Sequence, residues 1–152
     1  VDDFASTVVE WLREKDASPV FLSGFPSGEE EKKVYGVETG DASEMIEKAE
    51  VQAPGRRGVV GGPTGALLHN AGKEDLDSLC LVVDTDSQFP DPVAARMLVD
   101  QGIEKIVGFD IDTDELTQKA EQIREQKQKL AKMLQQAESH EKSQAFPEGM
   151  YE

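Results

Sequence analysis

The first apolar pattern of the chain lies at its start. Four apolar residues recur there at helical spacing, with charged residues between them: Phe4, Val8, Trp11 and Leu12. This spacing predicts an amphipathic helix that buries these four side chains and ends before Ser18-Pro19.

Short apolar or alternating runs between turn residues predict four strands. They lie at residues 20–22, 33–38, 58–61 and 79–83. The run at 79–83 has no polar residue, which is typical of a strand that is buried on both faces.

Helices are predicted between these strands, at residues 41–49, 64–71 and 91–107. Asp41 with Glu44 has the spacing of a capping box, while Asp91 followed by Pro92 is typical of a helix start. Strands and helices therefore alternate, which predicts an α/β domain of layers with a largely parallel sheet.

The last predicted helix carries a heptad pattern. Asp112 and Glu115 form a second capping-box pattern before it, and the spacing then alternates between four and three residues over Leu116, Ala120, Ile123, Lys127, Leu130, Leu134 and Ala137. This seam packs either against another helix, as in self-association, or along the surface of its own domain.

After about Ser139 the chain is polar, with Pro and Gly, so we expect a domain over 1–138 and a flexible tail over 139–152.

Charge excludes two classes of partner. The chain has 152 residues, with 31 acidic against 16 basic side chains and a net charge of −15. This charge repels nucleic acid and anionic membrane surfaces. It fits either a salt-loving host or a basic partner.

With no run of 18 apolar residues and no signal-peptide pattern, we expect a cytoplasmic protein.

Metal and cysteine chemistry are not expected. Cys80 is the one cysteine and lies in an apolar run, and the two histidines, His69 and His140, have no ligand spacing. We therefore expect a buried thiol, no metal and no cofactor.

One glycine-rich turn is a candidate anion site. Gly61, Gly62, Thr64 and Gly65 lie between a predicted strand and a helix, where backbone N–H groups can hold an anion. The spacing fits no standard phosphate motif and Pro63 removes a donor, so a sterically tight turn is the alternative.

Three carboxylates follow the predicted buried strand: Asp84, Asp86 and Asp91. In α/β proteins this edge of the sheet holds active sites. The alternative function is therefore a small-molecule enzyme that binds an anion at the Gly61–Gly65 loop and uses Asp84 or Asp86 as a base. No nucleophile and base can be paired from the sequence, so we predict no catalytic residue and no enzyme.

The end of the chain has the chemistry of a peptide anchor. Met150, Tyr151 and Glu152 give a hydrophobic residue, a tyrosine and a free carboxylate at the end of the polar tail. The tyrosine supplies apolar area and a hydroxyl group, and the carboxylate can pair with a lysine of a receptor.

Several runs of the sequence, in consistent order, resemble the proteasome assembly chaperone family, particularly its archaeal members. They are Ser23 to Gly28, Val34 to Val37, Gly58 to Leu68, Cys80 to Thr85, Phe89 to Ala95 and Gly108 to Asp112. The resemblance covers most of residues 1–138.

This resemblance implies a three-layer α/β/α sandwich of the phosphorylase/hydrolase-like type, without established enzymatic activity, that forms homo-oligomers. Family members of this type end with a hydrophobic-tyrosine-any residue (HbYX) motif that inserts between α-subunits of the proteasome core. Met150, Tyr151 and Glu152 match that motif position by position. The family's domain normally begins with further strands and helices, so we expect about its first third to be absent here and strand edges to be exposed.

Overall fold

The computed structural model describes residues 1–27, 31–55, 57–86 and 90–144, with only the helical backbone from 137 to 144. Its elements are α1 (Asp2–Glu14), β1 (Val20–Pro26), β2 (Val34–Thr39), α2 (Ser43–Ala49), α3 (Gly62–Lys73), β3 (Ser78–Thr85), α4 (Pro92–Leu98), a π-helical turn (Val99–Ile103), α5 (Glu104–Val107) and α6 (Asp114–Gln144). An α/β fold is thus confirmed.

Among the described residues, β1, β3 and β2 form a mixed sheet in that order. β1 pairs parallel to β3, from Val20 opposite Leu79 to Pro26 opposite Thr85, but β2 pairs antiparallel on the other side. The expectation of a largely parallel sheet is therefore wrong for β2. The chain leaves β1, crosses the carboxyl end of β3 and runs back along it, which hydrophobic periodicity does not reveal.

The central strand β3 is buried on both faces, as the sequence predicted. Leu79, Leu81 and Val83 face a cluster that includes residues of α2 and α4. Cys80 and Val82 face the other way, toward Leu68 of α3. Helices therefore lie on both faces of the sheet, and α1 packs on α3 while α6 packs on α4.

The predicted apolar face of α1 is only partly buried: Val8 and Leu12 are half-buried. Ala5 and Val9 are buried, whereas the aromatic side chains of Phe4 and Trp11 are exposed. Small residues allow α1 to lie close to α3, where Ala71 is fully buried and Ser6 Oγ donates to Asn70 Oδ1 at 3.1 Å. The hydrophobic pattern identifies the helix, but the most buried residues lie beside the predicted face.

The predicted strand at 58–61 is absent from the described structure, where this segment has no regular structure. Its Val60 packs instead against Cys80 and Val82 on a face of the sheet. A segment that lies over a face does not present its backbone to a strand edge, so ladder hydrogen bonds do not form.

Both predicted capping boxes are wrong in detail. The N–H of Asp41, which Glu44 would accept in a box, donates to Asp77 Oδ1 at 2.7 Å, and α2 begins after Ala42. At the other site Asp112 Oδ1 accepts the N–H of Asp114, at 2.9 Å, rather than that of Glu115.

The helix predicted over 91–107 is confirmed, with a π-helical turn in its middle. A Cβ at Gly102 in this turn would lie 2.5 Å from Leu81 Cδ1, so the backbone approaches the sheet closely there. Gly108, with a φ of +77°, ends the last turn.

Candidate functional site

The glycine-rich turn is a tight entry into α3. Gly62 has a φ of +63°, and a Cβ at Gly65 would overlap the carbonyl oxygen of Val60. The N–H of Gly65 donates to the carbonyl of Gly61 at 3.2 Å. These contacts explain why glycine occupies positions 62 and 65, because side chains there are strained or blocked.

A cavity of about 280 Å³ lies beside this turn. Its lining is mostly apolar and includes Phe25, Val37, Val60, Leu68 and Val82. An anion entering such a cavity would lose its hydration without gaining a paired charge. The surroundings of the turn therefore do not favour the phosphate-binding alternative.

The buried carboxylate at the end of β3 is held by backbone. Asp84 is almost fully buried, and its Oδ2 accepts the N–H of Lys33 at 3.1 Å. The N–H of Asp84 in turn donates to the carbonyl of Lys33, at 3.1 Å. Asp84 therefore ties the end of β3 to the segment that enters β2.

Asp91 caps α4, as the sequence predicted. Its Oδ1 accepts the N–H of Ala94 at 3.0 Å, and its Oδ2 accepts the N–H of Asp86 at 2.9 Å and the ammonium of Lys32 at 2.5 Å. Burial acts to raise the pKa of Asp91. The hydrogen bonds from Lys32, Ala94 and Asp86 and the charge of Lys32 outweigh burial, so the pKa lies below its ordinary value.

Asp86 is paired with the last helix. Its Oδ2 lies 2.7 Å from Lys127 Nζ, across a cleft of about 440 Å³ that Asp91, Lys32 and Arg124 also line. The structure thus brings Asp86 and Asp91 together and pairs each with a lysine. A carboxylate already bound to an ammonium group is less available as a base.

Helix α6 has two parts with different surroundings. From Leu116 to Lys127 the seam positions are half-buried on the body, and Arg96 of α4 donates to Thr117 Oγ1 at 2.9 Å. Beyond Lys127 the seam positions Leu130 and Leu134 are 47% and 58% exposed, and Met133 beside them is 65% exposed. The first part of α6 therefore packs on its own domain, whereas the second part exposes apolar side chains.

A second exposed apolar surface lies on α1. Phe4 and Trp11 are 57% and 55% exposed, with half-buried Val8 between them at helical spacing. The spacing of these residues predicts an amphipathic helix but does not predict that its aromatic side chains are exposed. The sequence does contain an indication of the buried face, because Ala5 and Val9 also recur at helical spacing and form a second, smaller apolar face.

The remaining expectations from the sequence concern the cysteine thiol, metal ligands and membrane spans. Cys80 is fully buried, and burial raises its pKa to about 11, so its thiol is unreactive at neutral pH. Within the described ranges, no three histidine, cysteine or acidic side chains are placed to hold a metal ion. No helix among the described residues is long and apolar enough to span a membrane.

The predicted docking residues Met150, Tyr151 and Glu152 lie outside the described residues. The described part of the chain ends at Gln144, the last residue of α6. The 31 residues of α6, more than eight helical turns, therefore precede the segment that carries the triplet.

Comparison with known proteins gives a consistent family. The model of the PAC2 family matches residues 1–131. No curated protein matches the chain.

Solved structures with the same fold include two proteins of Pyrococcus furiosus. PbaA, an archaeal homologue of proteasome-assembly chaperone, is 25% identical with a TM-score of 0.75, over 93% of this chain and 60% of PbaA. PbaB, an archaeal proteasome activator, is 20% identical with a TM-score of 0.73, over 86% of this chain and 57% of PbaB. A Thermoplasma acidophilum protein of unknown function is 23% identical with a TM-score of 0.62, over 92% of this chain and 58% of that protein. The chain thus spans about 60% of the length of these proteins.

Proposed function

We propose that this chain, which belongs to the PAC2 family, is a proteasome assembly chaperone or core-binding factor. The observation that carries the proposal is the family match over residues 1–131, which covers every element of the body and much of α6. The fold it shares with PbaA and PbaB, described as a chaperone homologue and a proteasome activator, supports the same role.

The proposed docking element is the terminal triplet, presented by α6. Tyr151 enters a pocket between α-subunits of the proteasome core, Met150 packs beside it, and the carboxylate of Glu152 pairs with a pocket lysine. Helix α6 leaves the body near Lys127 and continues to Gln144. At 1.5 Å per residue the helix carries the start of the tail roughly 25 Å from the body.

The protein acts as a homo-oligomer in this proposal, without enzymatic activity or cofactor, and in the cytoplasm. Several tails on one assembly bind several pockets of one ring. The second tail then binds at a high effective concentration, so a modest affinity for each tail suffices. The pairing of Asp86 and Asp91 with lysines supports a body that serves as a scaffold.

The test is binding to purified proteasome core from the same source, measured by surface plasmon resonance. The variants are Tyr151→Ala, deletion of the last three residues, and Phe146→Ala as a control that removes an aromatic side chain from the same tail. We expect the first two to weaken binding at least tenfold, about 1.4 kcal/mol, and the control to bind like the wild type.

Two results would refute this mechanism. One is a wild type that binds neither the core nor free α-subunits. The other is undiminished binding after the last three residues are deleted, which would place recognition on the body.

A further inference from the structure

The described structure leaves two apolar stripes exposed, on α1 and on α6. The α1 stripe consists of Phe4, Val8 and Trp11, and the α6 stripe of Leu130, Met133 and Leu134. Aromatic and methionine side chains with this exposure are typical of the centre of protein interfaces. Each stripe is one helix face wide, so each fits a helix of a partner.

The two stripes belong to opposite layers of the fold. Helix α1 packs on α3, which covers the sheet face of Cys80 and Val82, while α6 packs on α4, which covers the face of Leu79 and Leu81. The stripes of one chain therefore lie in different layers, separated by the sheet. A contact between them requires two copies of the chain.

Charge favours a contact between the two different stripes. Helix α1 carries four acidic side chains and one basic side chain, and Asp3, Glu10 and Glu14 lie along one side of its stripe. Residues 124–134 of α6 carry four basic side chains and one acidic side chain; Lys127 pairs with Asp86 of its own chain, and Arg124 and Lys129 flank the stripe. In a chain with a net charge of −15, this basic segment is exceptional.

Pairing of either stripe with itself brings like charges together. Two α1 stripes would oppose Asp3, Glu10 and Glu14 to their own copies, and two α6 stripes would oppose Lys129 to Lys129. Only the contact of α6 on α1 combines apolar burial with opposite charges at the rim.

We propose that the α6 stripe of one copy docks on the α1 stripe of a second copy, with Trp11 and Phe4 as anchors. The proposal deepens the homo-oligomeric part of the proposed function and rests on it, but it does not depend on proteasome binding. Each copy offers one stripe and receives the other, so the contact can be exchanged between two copies or repeated from head to tail. Repetition of such a contact closes into a ring when the rotation between copies allows it.

The deciding experiment mixes two variants that each lack one stripe. Trp11→Asp destroys the α1 stripe and Leu134→Asp destroys the α6 stripe, at side chains whose exposure spares the fold; unchanged circular dichroism and melting temperature verify this. Mass is measured by analytical ultracentrifugation at physiological salt. We expect an assembly for the wild type, a monomer for each variant alone, and a 1:1 heterodimer for the mixture, because the mixture retains one intact junction.

Three outcomes would overturn the proposal: a monomeric wild type, a Trp11→Asp variant that stays associated, or a mixture that stays monomeric. The second of these would assign the contact to two α6 stripes.

A charge exchange tests the rim independently. Glu10→Lys or Lys129→Glu alone should weaken association about tenfold, and the two substitutions in one chain should restore it; no restoration would remove the charge argument.

The outcomes separate this inference from the docking of the tail. Tyr151→Ala should leave the mass of the assembly unchanged while it weakens binding to the proteasome core. Trp11→Asp should change the mass while each tail retains its own affinity. A failure of either proposal is therefore visible without the other.

Discussion

Lys127 Nζ lies 2.7 Å from Asp86 Oδ2 and joins the middle of α6 to the first residue after β3. This pair explains the lysine that interrupts the heptad seam. Position 127 faces the body of its own chain, where it pairs with the carboxylate of Asp86, and does not face a second helix. At the other end of the docked part, Arg96 holds Thr117. The two contacts define how much of α6 belongs to the body.

We predict a measurable coupling between Lys127 and Asp86. Both side chains are about one-third exposed, so a double-mutant cycle with Lys127→Ala and Asp86→Ala should give about 0.5 kcal/mol from urea unfolding. The coupling should fall at 1 M salt because of screening. The more exposed pair Arg13 and Glu74 is the control and should give less. Additive effects of the two substitutions at low salt would contradict the prediction.

The sequence predicted α6 and its seam but not the division of the seam. Heptad spacing is the same before and after Lys127, and only the tertiary contacts separate the half that packs on α4 from the half that stays exposed. Lys127 was the available signal, because a charged residue at a seam position indicates a polar partner.

The same limit applies to α1 and to the sheet. Helix α1 has two apolar faces, and because burial scales with apolar area, the larger one is expected to be buried. The close approach of α3 favours the smaller face with Ala5 and Val9. The buried strand β3 was predictable because it lies between β1 and β2 and is covered by helices on both faces, so its side chains are apolar. The direction of β2 depends on the loop before it, and that loop has no periodic pattern.

Asp91 should make the stability depend on pH in the acid range. Its pKa is lower in the folded chain than the ordinary 3.8, so the ionised form favours folding. This contribution is present above the unfolded pKa and is lost as the pH falls through the folded value. Asp91→Asn keeps a capping side chain but loses the charge, so the difference in unfolding free energy from the wild type should be larger at pH 6 than at pH 3, as measured with urea.

The control for this prediction is Asp91→Ala, which also removes the cap. At pH 6 it should destabilise the fold by about 1 kcal/mol or more, beyond the effect of Asp91→Asn. A difference between wild type and Asp91→Asn that stays constant from pH 6 to pH 3 would show that the pair with Lys32 does not depend on the ionised carboxylate.

Gly65 should be irreplaceable in the turn that enters α3. A Cβ at this position overlaps the carbonyl oxygen of Val60, which is backbone and cannot rotate away. Gly65→Ala should therefore lower the unfolding free energy by about 2 kcal/mol or more. Gly55→Ala is the matched control because a Cβ there meets nothing within 4 Å, and we expect a change below about 0.5 kcal/mol. Equal effects of the two substitutions on urea unfolding would show that the turn relaxes freely.

The two parts of α6 should respond differently to the same substitution. Ile123 is half-buried against the body and lines the cleft beside Lys127, whereas Leu130 lies one heptad later and is exposed. Ile123→Asp places a charge against apolar surface and should cost about 1–2 kcal/mol. Leu130→Asp should change the unfolding free energy of the isolated chain by less than about 0.5 kcal/mol, since this side chain loses little burial. Both values are measured in dilute solution, where association does not contribute to stability. If Leu130→Asp proved as destabilising as Ile123→Asp under these conditions, the exposed half of the seam would be packed within its own chain, and α6 would have no free apolar stripe for a partner.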